Sequence, residues 1–195
     1  MPIPVVVATW PFGRVAAEAA VARLTAGGTA VDAVVAGATA VEDDPAVRSV
    51  GFASLADRLG RLTLDAAVMD GRTLACGAVA AVEHIRHVAE LARRVMERTP
   101  HVLLAGEGAK WFALQQGFPL EMPHTADSVR EWFDKHPSAR KTPLGGPDPV
   151  IHSALGGPED ITVVDEWNHD TVTVLGLGAD GHLAAACTTS GLAYK

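Results

Sequence analysis

Apolar residues fall into short blocks along this chain, and their spacing switches between the two-residue period of strands and the 3.6-residue period of helices. Residues 3–8 form an apolar run rich in β-branched side chains that Pro11 closes, which predicts a strand. From Arg14 to Ala26 an Ala-rich pattern, with Glu18 and Arg23 spaced between apolar positions, predicts a helix stopped by Gly27-Gly28. Thr29 precedes a second helical stretch that has Asp32 in its first turn and runs to about Glu42. Its near lack of charge predicts cover on most sides, and Glu42-Asp43-Asp44-Pro45 ends it. Asp70-Gly71 between Leu62–Met69 and Thr73–Val79 predicts a hairpin with a primed turn, and the small residues Ala75, Gly77, Ala78 and Ala80 permit close packing against another layer.

Residues 83–98 carry Ile85, Val88, Leu91 and Val95 on one helical face, and His101–Leu104 resembles a brief strand. Further helices are expected over Lys110–Gln116 and Ala126–Lys135, the second with Asp127 and Ser128 in its early turn. Pro137–Asp160 holds Pro137, Pro143, Pro147, Pro149 and Pro158 with two Gly-Gly pairs, and reads as an exposed linker or mobile loop. Beyond it, Thr171–Leu177 and His182–Thr188 are β-rich runs around Gly178-Ala179-Asp180-Gly181. They predict a hairpin at the end of the chain, with a new sheet edge that has no partner.

Composition narrows the class. The length of 195 residues suits one domain, and a hydrophobic fraction of 48% excludes a mainly disordered chain. Aromatics are only 5%, so the core is expected to be tight Ala and Val packing. The net charge of -7, without a Lys/Arg cluster, argues against a nucleic-acid partner. Cys76 and Cys187 are too far apart for a CxxC site and read as small buried residues. No stretch approaches the roughly 20 apolar residues of a membrane span. Met1-Pro2-Ile3-Pro4-Val5 has no signal-peptide pattern. A cytoplasmic location follows if that start is native, and a periplasmic or secreted one if it is processed.

Three motifs invite a chemical reading and favour a plainer one. Gly176-Leu177-Gly178-Ala179-Asp180-Gly181 is a formal GxGxxG, but a dinucleotide fingerprint needs a helix after it, and a strand is expected there. His84 and His87 lie three apart on a predicted helix, where a solvated face explains them better than a metal pair without further ligands. Glu42-Asp43-Asp44 lacks the alternating oxygen ligands of a calcium loop and reads as helix termination. No metal or other cofactor is called for.

Thr171 is different, because Asn168-His169-Asp170-Thr171 joins the Pro/Gly-rich segment to a strand whose hairpin mate runs into Cys187-Thr188-Thr189-Ser190-Gly191. A threonine hydroxyl is a weak nucleophile unless a base lies beside it. If the preceding peptide bond is cut, the residue's own α-amine supplies that base, and an unperturbed α-amine titrates near about 7.7.

Several stretches, in this order, resemble the glycosylasparaginase family of N-terminal nucleophile hydrolases. They are Thr9-Trp10-Pro11-Phe12, Gly27-Gly28, Ser49-Val50-Gly51-Phe52, Leu64-Asp65-Ala66-Ala67-Val68-Met69-Asp70-Gly71, Gly106-Glu107-Gly108-Ala109, His169-Asp170-Thr171 and Ala186-Cys187-Thr188-Thr189-Ser190-Gly191. The resemblance implies an α/β fold, an αββα four-layer sandwich that is C-terminally incomplete. It implies autoproteolysis between Asp170 and Thr171, giving an α chain of residues 1–170 and a β chain that starts at Thr171. Thr171 would attack the side-chain amide carbon of N4-glycosylated L-asparagine, with Thr189 tuning it. Ser49 and Asp170 match residues that serve the self-cleavage, and Trp10 and Phe12 match residues near the substrate pocket. The expected partners are a small glycosylated-asparagine or β-aspartyl substrate and the two chains of a heterodimer, which pairs as a dimer of heterodimers in the family. An asparaginase or isoaspartyl dipeptidase with the same nucleophile, and a truncated noncatalytic interaction module, are the alternatives.

This sequence departs from the family pattern at Ala53-Ser54, where Gly-Gly is usual, and at Thr173, where glycine is common. The added Cβ is expected to disturb a tight backbone at the first and to narrow the pocket at the second. The family's GRVGDSP substrate clamp, which lies past the position of Lys195, is not in this sequence, so the chain is expected to be a fragment or a truncated relative.

Overall fold

The computed structural model describes residues 3–135 and 171–191. The strands are β1 (Val5–Ala8), β2 (Leu64–Asp70), β3 (Cys76–Val82), β4 (Leu103–Ala105), β5 (Thr171–Leu177) and β6 (Leu183–Thr189). The helices are α1 (Gly13–Thr25), α2 (Ala30–Glu42), α3 (Val88–Arg98), α4 (Gly106–Gln115) and α5 (Ala126–Lys135). The six strands form one mixed sheet in the order β1-β5-β6-β2-β3-β4, antiparallel except for the β3–β4 pair. The parallel pair is joined through α3, as a β-α-β connection requires.

Local chemistry explains the helix limits. Thr29 caps α2 in a reciprocal box, its hydroxyl accepting from the Asp32 N–H at 3.1 Å while an Asp32 carboxylate oxygen accepts from the Thr29 N–H at 2.9 Å. Gly27 leaves α1 at φ +85, a left-handed step that glycine takes without a Cβ penalty.

One face of the sheet is packed against helices. Leu64, Ala66, Val68, Val79, Val172, Val174, Ala184 and Ala186 alternate along their strands and share one buried core with α1, α2 and α3. Burying each Val or Leu side chain contributes roughly 1.5–3 kcal/mol. Small residues set the layer spacing. A Cβ on Gly37 of α2 would stand 2.7 Å from the Ala16 carbonyl and 3.3 Å from Val174, and a Cβ on Gly77 of β3 would fall against the backbone of Ala92 and Met96 in α3. The Arg93–Asp32 ion pair at 2.9 Å ties α3 to α2. The α/β expectation thus holds as a mixed sheet with flanking helices.

The structure corrects the expected hairpin edge. The β5–β6 hairpin lies inside the sheet, with β1 paired to β5 and β2 paired to β6, so both of its edges are covered. Chain order hid this, because the partners are the first strand and one from the middle of the sequence. The β2–β3 connection is also longer than a primed two-residue turn. Residues 71–75 form it, Leu74 takes the positive φ of 61, and the Asp70 carboxylate accepts from the Arg72 N–H at 2.8 Å. The helix expected over 83–98 begins only at Val88, since His84 sits at φ 66. His84 and His87 therefore do not share a helix face. The formal GxGxxG spans the end of β5 and the turn into β6, with Gly181 at φ 82. The segment 137–160 and Asp170 lie outside the described residues.

Candidate active site

Thr171 opens β5, and the antiparallel register places it directly opposite Thr189 of β6. Thr189 in turn pairs with Asp65 of β2. Side chains in register across adjacent strands share a face, so Thr171, Thr189 and Asp65 form a polar row on the side away from the helices. Thr173 and Cys187 form the next pair on that face. Thr171, Thr173 and Thr189 are all half-buried, whereas Val172 and Thr188 between them are buried on the helix side.

The segment after β1 fastens the start of β5. Trp10 Nε1 donates to the Thr171 carbonyl at 2.8 Å. The Thr9 N–H donates to the Thr173 carbonyl at 3.1 Å, and the Thr9 hydroxyl oxygen accepts from the Thr173 N–H at 2.9 Å. Trp10 holds φ 66, a left-handed conformation that is costly for a bulky residue and is typical of positions held by their surroundings. Phe12 stands at the N-cap of α1, and its ring packs partly buried against the core, so it lies beside Trp10 in sequence but faces apolar neighbours.

Ser49 approaches the same end of the hairpin, just beyond Thr189 of β6. Its carbonyl accepts from the Ser190 N–H and from the Ser190 hydroxyl, each at 3.0 Å. The structure thus brings Trp10, Ser49, Thr171 and Thr189 to one end of the central hairpin. Thr189 Oγ1 accepts from the Gly191 N–H at 2.9 Å, which shapes the chain as it leaves β6. The segment after Ser49 is tightly bent, with Gly51 at φ 62 and Ala53 at φ 71. Ala53 thus occupies a conformation suited to glycine, as its departure from the family pattern suggested, and Ser54 beside it is fully buried with no partner for its hydroxyl among the described residues.

Sequence reasoning missed three residues here. Thr9 stood beside Trp10 without a role. Asp65 looked like one polar position in an alternating strand, yet its carboxylate accepts from the Ala81 N–H at 2.8 Å and pins the bulge between β2 and β3, where Ala81 sits at φ 53. Glu42 reads in the sequence only as part of a helix-terminating acidic cluster, and it is fully buried. Its Oε1 accepts from the Thr188 hydroxyl at 2.7 Å and from the Ala89 N–H at 2.9 Å. Burial pushes the Glu42 carboxyl from its ordinary 4.5 up to about 7, against the opposing pull of those two donors and of His87. Nothing in the pattern of charges marked it, because an acid before Asp43-Asp44-Pro45 is ordinary at a helix end. Among the described residues, no group of three or more His, Cys, Asp or Glu side chains is arranged to hold a metal ion, and no helix is long and apolar enough to cross a membrane.

A mixed sheet flanked by helices, with two threonines opposed at the mouth of its central hairpin, places the molecule in the class of N-terminal nucleophile hydrolase folds. The chain belongs to the asparaginase family, whose profile, described as Asparaginase, matches residues 7–195. It is 44% identical over 192 residues to N(4)-(β-N-acetylglucosaminyl)-L-asparaginase of Elizabethkingia miricola, covering 98% of this chain and 51% of that protein. It is 36% identical over 205 residues to the protein of the same name from Rattus norvegicus, covering 100% of this chain and 59% of the relative. A probable isoaspartyl peptidase/L-asparaginase 3 of Arabidopsis thaliana is 35% identical over 216 residues, with 98% of this chain and 60% of the relative covered. The chain spans about half the length of the curated relatives it matches.

Proposed function

We propose that this protein is an amidohydrolase that cleaves the side-chain amide bond of N4-glycosylated L-asparagine, with Thr171 as an N-terminal nucleophile made by self-cleavage. The observation that carries the reading is the direct opposition of Thr171 and Thr189, with Trp10 fastened to the Thr171 carbonyl at 2.8 Å. In maturation the Thr171 hydroxyl oxygen attacks the Asp170 carbonyl carbon. The peptide C–N bond breaks as the C–O bond forms, and the Thr171 nitrogen takes up the proton. Water then hydrolyses the ester, leaving the Asp170 carboxylate and a free Thr171 α-amine. Asp170 and Ser49 serve this step, and residues 1–170 and those from Thr171 onward remain together as two chains.

In turnover the neutral α-amine accepts the hydroxyl proton as the oxygen attacks the substrate amide carbon. The glycosylamine leaves with a proton, and water hydrolyses the aspartyl ester. Thr189 holds the attacking oxygen, and Trp10, fastened to the Thr171 carbonyl, lines the approach to it, while Phe12 supports that segment from the core side. A related asparaginase or isoaspartyl peptidase activity is favoured by one observation, the 35% identity to the Arabidopsis relative over 98% of this chain. The product of the complete reading frame should separate into two pieces between Asp170 and Thr171 by intact mass, and Thr171→Ala should stay one piece. A wild-type protein that never breaks there overturns the mechanism. Kinetics on glycosylasparagine, asparagine and a β-aspartyl dipeptide then choose the substrate, and preference for the dipeptide overturns the first choice.

A further inference from the structure

Glu42 ends α2 with its side chain fully buried, and the chemistry assigned to Thr171 makes no use of it. Its Oε1 accepts from Thr188 at 2.7 Å and from the Ala89 N–H at 2.9 Å. Ala89 lies in the first turn of α3, where His87 at the N-cap offers no side-chain cap. The Glu42 carboxyl therefore satisfies an orphan donor of a neighbouring helix. Its Oε2 is buried and meets no partner among the described residues. Stability alone does not explain such a group: the C-terminus of its own helix disfavours negative charge, and an unpaired buried oxygen costs free energy.

The connections from Glu42 close a ring around the candidate site. Thr188 adjoins Thr189, which faces Thr171 in the register. Ser190 follows and donates twice to the Ser49 carbonyl, each time at 3.0 Å. The segment from Ser49 then returns, and the Phe52 N–H donates to the Glu42 carbonyl at 2.8 Å. Gly51 permits this return, since its φ is +62 and a Cβ there would fall on the Glu42 backbone. Successive side chains in a strand point to opposite faces, so Glu42 grips β6 from behind while Thr189 looks toward Thr171.

We propose that Glu42 is a positioning residue for the Thr171 reaction: from the helix side of the sheet its carboxyl group holds Thr188, and thereby fixes Thr189 and the Ser49 carbonyl relative to Thr171. This rests on the reading of Thr171 as nucleophile. The experiment compares wild type, Glu42→Ala, Glu42→Gln and Thr188→Val as products of the complete reading frame. It follows the rate of cleavage at Asp170-Thr171, kcat and KM for amide hydrolysis, and amide hydrogen exchange at Ser190 and Phe52.

Glu42→Ala and Thr188→Val are expected to slow cleavage and kcat by about 10- to 100-fold, the scale of a small misplacement of reacting groups, with KM nearly unchanged and faster exchange at Ser190. Glu42→Gln keeps the carbonyl acceptor and should restore most of the lost rate. Thr188→Val keeps the side-chain shape, so it serves as the test should Glu42→Ala fail to fold. Wild-type rates in folded Thr188→Val overturn the proposal, as does a loss that tracks only the folded fraction. A wild-type protein that neither self-cleaves nor hydrolyses amides overturns the reading of Thr171 and with it the role of Glu42 in the reaction. The Ser190 exchange still reports in that case whether Glu42 holds the ring.

Discussion

Val172 and Thr171 follow one another in β5, yet they face opposite sides of the sheet and meet different surroundings. Val172 is fully buried with Val174, Val68 and Val79 against the helix layer, where layer spacing is set by Gly37 and Gly77. Thr171 is half-buried on the other side, in a row with Thr189 and Asp65. Farther along that second face the apolar side chains are exposed, Met69 at 42%, Leu175 at 47% and Leu183 at 59%. The comparison teaches that one face supplies the free energy that fixes the strands, which leaves the other face able to carry reactive and polar groups at a defined spacing. Glu42 links the two, because it is buried on the packed side and bonded to the residue next to Thr189.

The sharpest break in this comparison is Thr171→Ala, which should abolish self-cleavage and amide hydrolysis while the midpoint of chemical denaturation shifts little, since the residue contributes to no buried core. Gly77→Ala should do the reverse. Its new Cβ meets the backbone of α3, and a loss of about 3 kcal/mol is expected from overpacking. Leu175→Ser on the open face should cost under about 1 kcal/mol in the same denaturation series.

Glu42 adds a pH dependence of stability. Its folded-state carboxyl titrates near 7 against an ordinary 4.5. The stability contributed by the protonated form is therefore fully present below about pH 4.5 and is lost as pH rises through about 7. The difference between wild type and Glu42→Gln should change by on the order of 3 kcal/mol between those limits. A pH-independent difference would show that the carboxyl does not titrate in this range. A modest effect of the opposite sign is expected at Ala53, where φ is 71. Ala53→Gly should stabilise the protein by about 1 kcal/mol by relieving a left-handed alanine, measurable as a rise in Tm.

Much of the fold was legible because periodicity, caps and stops are local. Thr29 with Asp32 announced the start of α2, Gly27-Gly28 the end of α1, and the alternation of Thr171–Leu177 a strand. The candidate site was legible only in part. Trp10, Ser49 and Thr189 emerged from a family resemblance, and their meeting at one end of β5 and β6 depends on strand pairs far apart in the chain.

The amino-acid order alone determined where most helices and strands form, which sides of them are apolar, and which threonine stands at a strand entrance, since each of these depends on neighbours within a few positions. Only the tertiary structure decided that the last hairpin sits between β1 and β2, that His84 and His87 fall outside a shared helix, and that Glu42, beyond ending its helix, is buried against β6. Those outcomes rest on hydrogen bonds and burial between residues such as Glu42 and Thr188, 146 positions apart, which no local pattern encodes.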